Sequence, residues 1–310
     1  MSLSLLLLAG CGIENLVRGQ DQLVVEAVTV EEQFRQAPNP KVDLLFVVDN
    51  TGSMADEQAA LAGSFQGFVG ALDELGLAWQ LGVITTELQS DRAGVLQGDP
   101  WIVTPHAADP EQAFVDAVDL GTDGVEENGL GAMALALSSE LAEANRGFRR
   151  PDAALHVVVI SDGDDHSEDV LGTDAVELAL ASLGAQALES GLPAQLSAVV
   201  GDVPGGCKGE SGQAFPGTLY VEVAEISGGA TASICSGDLE ELIVQLGALS
   251  ASYPSVFELQ ALPDDEPRVA VDGTRVDSGW ELQVEPPAIV FEEPPPAGAS
   301  IQVRYSLEAE

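Results

Sequence analysis

Four short apolar runs, Val42 to Val48, Trp79 to Thr85, Ala154 to Ile160 and Gln195 to Val200, are separated by stretches whose apolar residues recur at helical spacing. A strand that reads as a nearly continuous apolar run is buried on both faces, and helices between such strands are the crossovers that parallel pairing requires. The alternation therefore predicts an α/β fold with a doubly wound, mostly parallel sheet. One helical stripe is Leu61, Phe65, Phe68, Leu72 and Leu75, and another is Leu130, Met133, Ala134, Leu137 and Leu141. A third is Val176, Leu180, Leu183 and Ala187, and a last helix carries Leu239, Leu242, Ile243, Leu246 and Leu249. These stripes read as core faces.

The texture changes at Tyr253. Short β-like pieces follow at Val256 to Ala261, Arg268 to Val271, Trp280 to Val284, Ala288 to Phe291 and Ser300 to Tyr305, divided by proline and glycine clusters and an Asp272-Gly273 turn. Turn signals at this spacing predict an accessory antiparallel β-sandwich. The expected organisation is a signal segment over 1–11 and an N-terminal segment over 12–38 that supplies a sandwich strand. The α/β domain is expected over 39–252 and the β-rich domain over 253–310.

With 51 acidic against 11 basic residues the chain carries a formal charge of −40, which excludes nucleic-acid binding through its own surface. The same excess attracts divalent cations. It also has a bland reading as a solubility device.

Two of the apolar runs end in polar loops of a particular kind. Val48 is followed by Asp49-Asn50-Thr51-Gly52-Ser53, which brings one carboxylate and two hydroxyls together at the carboxyl end of a buried strand, where open α/β sheets place ligands. Ile160 is followed by Ser161-Asp162-Gly163-Asp164-Asp165-His166. On neighbouring strands Asp49 and Asp162 would approach each other, and two close carboxylates stay ionised only with a cation between them. A hard divalent ion with oxygen ligands resolves the conflict.

Asp-x-Thr-x-Ser after one buried strand and Ser-Asp-Gly after another resemble the metal-ion-dependent adhesion site of von Willebrand factor type A domains, over roughly residues 40–252. The blocks Lys41 to Met54, Asn145 to Ser167, Gly205 to Cys207 and Ser233 to Cys235 resemble the lipoprotein branch found in myxobacteria and related Gram-negative bacteria. The resemblance implies that Asp49, Thr51 and Ser53 are first-loop ligands and Asp162 the distal ligand of Mg²⁺, Mn²⁺ or Ca²⁺, bound directly or through water, with an acidic side chain of the partner completing the shell. In that pattern a threonine precedes the next helix. Here the loop is Gly121-Thr122-Asp123-Gly124-Val125-Glu126-Glu127-Asn128-Gly129, and Glu127 or Asn128, nearer the helix start, is preferred over Thr122 for that position.

Leu8-Ala9-Gly10-Cys11 after an apolar stretch resembles the lipobox of bacterial lipoproteins, which implies lipidation at Cys11, outer-membrane anchoring and contact with a membrane through the lipid alone. With Cys11 so occupied, Cys207 and Cys235 remain as a disulfide pair in an oxidising compartment; two buried free thiols are the alternative. The functional expectation is a non-enzymatic, cell-envelope binding protein that takes a protein or glycan partner at its metal. A metal-free structural component of an envelope assembly is the alternative, and a serine hydrolase built on Ser53 a remoter one, since Ser53 lacks the Gly-x-Ser-x-Gly elbow. His156, inside an apolar run, reads as a satisfied core residue. The acidic stretch Asp162 to Asp169 reads as a solvated loop, with a second Ca²⁺ site as the competing reading.

Overall fold

The computed structural model describes residues 27–37, 39–209, 212–236, 239–250, 253–296 and 298–308. Cys11 and its lipobox lie outside them. The described chain begins with β1 (Ala27–Arg35) and continues into β2 (Lys41–Val48), the first of the expected apolar strands. The stripe from Leu61 to Leu75 is divided into α1 (Ala55–Gly63) and α2 (Phe65–Glu74), because Ser64 turns its hydroxyl back onto the Leu61 carbonyl at 2.7 Å. Next come β3 (Ala78–Thr85), α3 (Pro110–Val118), α4 (Gly129–Ala136) and β4 (Ala154–Ile160). The second stripe thus stops being helical at Ala136, and Leu141 lies in turns beyond it.

After β4 the chain forms α5 (Ser167–Leu171), α6 (Ala175–Ser190) and β5 (Ala194–Val200). A small hairpin, β6 (Cys207–Lys208) with β7 (Gln213–Ala214), precedes α7 (Thr218–Ser227), β8 (Thr231–Ser233) and α8 (Leu239–Leu249). The remaining strands are β9 (Val256–Glu258), β10 (Arg268–Val271), β11 (Thr274–Val276), β12 (Trp280–Val284), β13 (Pro287–Phe291) and β14 (Ser300–Glu308).

The central sheet has the order β3-β2-β4-β5-β8, and every pairing in it is parallel. Alternate side chains of β2 point to opposite faces. Leu44, Phe46 and Val48 pack with Phe65, Phe68 and Phe114 from α2 and α3, while Leu45 and Val47 pack with Leu130, Leu183 and Tyr220 from α4, α6 and α7. Both faces are therefore covered, as the apolar runs predict. From β2 the chain moves outward to β3 and from β4 it moves the other way to β5, so the crevice between the carboxyl ends of β2 and β4 is a topological switch point.

The second body is antiparallel, with sheets β1-β14-β10-β11 and β12-β13-β9 enclosing Phe257, Val269, Ile289, Ile301, Val303 and Tyr305. β1 joins it from the other end of the sequence, pairing with β14 from Ala27↔Glu308 to Arg35↔Ser300. Asp272 (φ 49°) and Gly273 (φ 76°) close the β10–β11 hairpin with positive φ at both turn positions, the twist that a two-residue hairpin needs. Buried Gln36, just past β1, donates to the carbonyls of Pro254 at 2.9 Å and Pro295 at 3.0 Å.

At the amino end of the central sheet, Asp43 is fully buried and paired with Arg149 and Arg150. The Arg150 backbone N–H also donates to it at 2.8 Å. Among the described residues no helix is long and apolar enough to cross a membrane.

Candidate metal centre

β2 and β4 are paired in register from Val42↔Ala154 to Val48↔Ile160, so the loops after them start side by side. The Asp49 N–H donates to the Ile160 carbonyl at 2.9 Å, extending the pairing by one step. This places Asp49 and Asp162 together, and the loop before α4 adds Glu127. One carboxylate oxygen from each of the three lies within 4.8 Å of the others.

Asp49 and Glu127 are each conditioned by their surroundings. Asp49 is buried and accepts from the Thr51 N–H at 2.8 Å and the Ser161 hydroxyl at 2.7 Å. Burial pushes its carboxyl above the usual range; those hydrogen bonds pull it back, and nearby Asp162 raises it further. Glu127 is also pushed up, first by burial, then by Asp49 and Asp162, with His166 acting in the opposite sense. His166 stands 3.8 Å from the Glu127 carboxylate. Gly163 is required for this approach, since a Cβ there would overlap the Glu127 carboxyl group.

The donor set fits a hard cation. Three carboxylates gathered at one point repel one another strongly without a counter-charge. The Thr51 hydroxyl oxygen is shut off from solvent and makes no hydrogen bond of good geometry, although it lies close enough to Asp49 to help hold that carboxyl down. Neighbouring Asn50, wholly buried against Gly124, has neither its amide nitrogen nor its oxygen satisfied. Buried orphans of this kind are uncommon in folded proteins and gather where an ion or ordered water completes the structure.

Ser53 is exposed and lines one small cleft with Asp162, Glu57, Gln213, Ile234 and Cys235. It does not cap α1, whose N-cap is Met54. Thr122 is exposed with its carbonyl near Gly52. Asn128 is buried, and its amide donates to Glu126 at 2.9 Å. Glu126 in turn accepts from the backbone of Leu88 at 2.7 Å and Gln89 at 3.1 Å. The structure thus brings Asp49, Asp162 and Glu127 together, with Thr51 beside them, and turns the Asn128 amide nitrogen toward Glu126.

The acidic stretch after Asp162 is not simply a solvated loop. The Asp164 carboxylate accepts from the Leu219 N–H at 3.0 Å, in the first turn of α7, which has no side-chain cap of its own. Asp165 is buried and accepts from the Leu130 N–H at 2.8 Å, in the first turn of α4, and from the Ser167 N–H at 2.9 Å. Asp164 and Asp165 thus cap two helices that come from other parts of the chain, satisfying donors that helix starts leave open. Sequence reasoning misses this role because the capped residues are distant in the chain.

The hairpin β6–β7 closes the other side of the site. Cys207 and Cys235 form a disulfide with Cα atoms 6.0 Å apart, tying the hairpin to the segment after β8. The Phe215 N–H then donates to the Asp162 carbonyl at 2.8 Å. Two large apolar side chains in adjoining segments are exposed: Phe215, 66% exposed, and Val125, 88% exposed, next to the Gly124 that pairs with Thr51. His156 takes no part; its ring nitrogens lie 2.8 Å from the Ser250 and Ser197 hydroxyls, and burial pushes it down to about 4.

No family model and no curated protein matches the chain. Solved structures do. The pilus adhesin SpaC from Lactobacillus rhamnosus GG, in its open conformation, is 12% identical with a TM-score of 0.42, over 91% of this chain and 41% of that one. Proximal thread matrix protein 1 from the mussel byssus, described with a zinc-occupied MIDAS motif, is 14% identical with a TM-score of 0.43, over 72% of this chain and 49% of that one. This chain spans only two fifths to one half of those proteins, and likeness at this level carries no inference about its function. The fold class rests on its own strand order.

Proposed function

We propose that this chain is a von Willebrand factor A-type binding protein that holds one divalent cation between Asp49, Glu127 and Asp162 and uses it to bind a protein or glycan partner. The observation that carries the reading is the meeting of three carboxylates, within 4.8 Å, at the switch point of a parallel sheet. Mg²⁺, Mn²⁺ and Ca²⁺ all suit oxygen donors. The Thr51 hydroxyl and exposed Ser53 stand ready as neutral donors beside the carboxylates. The bound ion would neutralise the crowded acids and present open coordination positions to a partner's oxygen.

No catalytic step is assigned to any residue. In this reading the molecule is a lipoprotein of the myxobacterial kind, anchored through Cys11 at the outer membrane and working in cell-envelope adhesion or assembly. The support for that placement is the Leu8 to Cys11 sequence alone.

The test is calorimetric titration of Mg²⁺, Mn²⁺ and Ca²⁺ into metal-stripped protein, repeated on Asp49→Ala and Asp162→Ala. Removing a direct ligand should cost more than the roughly 100-fold seen when only a supporting group is lost. Identical heats for wild type and both variants would refute the site.

A further inference from the structure

We infer that the ligand taken at this centre is an uncharged, hydroxyl-rich saccharide, held by the cation through its hydroxyls and by Phe215 through its apolar face. The inference rests on the metal-binding reading above and narrows it to one class of ligand. Its first ground is charge. Asp49, Glu127 and Asp162 together outweigh a doubly charged ion by one unit, so the loaded centre is still anionic. The molecule around it carries −40. A carboxylate from a partner would approach against both fields, with the residual charge of the centre acting at contact distance, where salt screens least. A hydroxyl pays no such penalty, and two neighbouring hydroxyls of a sugar ring offer a pair of oxygens to a cation that accepts about six to eight, as Ca²⁺ does.

The second ground is the rim. Exposed Phe215, on the segment between β7 and α7, is backbone-bonded to the Asp162 carbonyl at 2.8 Å, and exposed Val125 stands two residues before Glu127, so an apolar residue adjoins each of two ligand-bearing loops. A sugar ring has a polar edge and a C–H face, and an aromatic ring beside a cation receives both. The third ground is the Thr51 hydroxyl, close to the Asp49 carboxylate, which gives the centre a neutral donor in addition to its acids.

The experiment uses the full chain with CaCl₂ on immobilised mannan, dextran and galactan, and on immobilised polyglutamate, with calorimetric Ca²⁺ binding measured in parallel. The expected result is retention on at least one neutral polysaccharide, release by EDTA, and no retention on polyglutamate. Phe215→Ala should weaken polysaccharide binding roughly tenfold, the size of one lost aromatic contact, while leaving Ca²⁺ binding intact. Retention on polyglutamate but on no neutral polysaccharide would overturn the inference in favour of an acidic protein partner. Failure on all four matrices by Ca²⁺-loaded protein would also overturn it, as would a Phe215→Ala variant that binds polysaccharide like wild type. Absence of Ca²⁺ binding in the calorimeter would instead strike the metal-centre reading itself.

Discussion

Asp49, Asp162, Asp164 and Asp165 are the same side chain in two adjoining loops, and their surroundings give them different work. Asp49 and Asp162 join Glu127 in the acidic cluster, while Asp164 and Asp165 cap α7 and α4. Asp165→Ala should destabilise the protein by about 2–4 kcal/mol, read from urea unfolding, because it orphans the Leu130 and Ser167 N–H groups. The raised carboxyls also set a pH dependence. A carboxyl whose folded-state pKa lies above its unfolded value stabilises the fold fully below the unfolded value and loses that contribution as pH rises through the folded one. For Asp49 and Glu127, with ordinary values of 3.8 and 4.5, the metal-free protein should therefore gain stability from these groups on mild acidification from neutrality. A bound cation needs them ionised, so the Tm difference between Ca²⁺-loaded and EDTA-treated protein should shrink as pH falls toward about 4. Melting curves from pH 7 to 4 check this, and a constant difference would contradict it. At this scale the pair Asp49 and Asp162 is legible in the sequence because each lies within two residues of the end of an apolar strand. The caps are not, because their partners are set only by the packing of α4 and α7.

Elements whose signal is local are readable in advance. β2, β3, β4 and β5 appear within a residue of the apolar runs that announce them, since burial on both faces leaves little room for polar positions. α3 carries a local mark: Asp109 accepts from the Gln112 N–H at 3.1 Å as N-cap, and Pro110 opens the helix. α7 had no such mark, because its cap, Asp164, lies on another loop. The hairpin β6–β7 adjoins the site from another part of the chain, since it precedes the Phe215 bond to Asp162 and is tied down by Cys207–Cys235. Replacing both cysteines by serine opens a link spanning 28 residues and should cost about 3.5 kcal/mol on the chain-entropy model. Cation affinity should fall with it, measurable in the same calorimeter. Unchanged affinity would mean that the hairpin does not help hold Asp162. At the other end of β2, Asp43→Ala should cost about 3–5 kcal/mol in chemical unfolding, because it strands the Arg149 and Arg150 charges.

A net charge of −40 makes the molecule as a whole an electrostatic object. Its seven described Lys and Arg ion pairs are already counted in that sum and leave the excess intact. Self-repulsion of the compact state should make Tm rise with added NaCl, most steeply below about 0.1 M, where the screening length exceeds about 10 Å. A flat or falling Tm across that range would show that surface repulsion is not a governing term. The two-body plan has a mechanical consequence. β1 lies antiparallel along β14, register by register, and the chain leaving it passes through a short connection into β2, which ends just before Asp49. Tension applied between the segment before Ala27 and a ligand gripped at the cation would run along β1 and β2. Such a load would pass through the covalent backbone of those two strands, so the rungs between β1 and β14 lie beside its path and the antiparallel body would ride along without being pulled open.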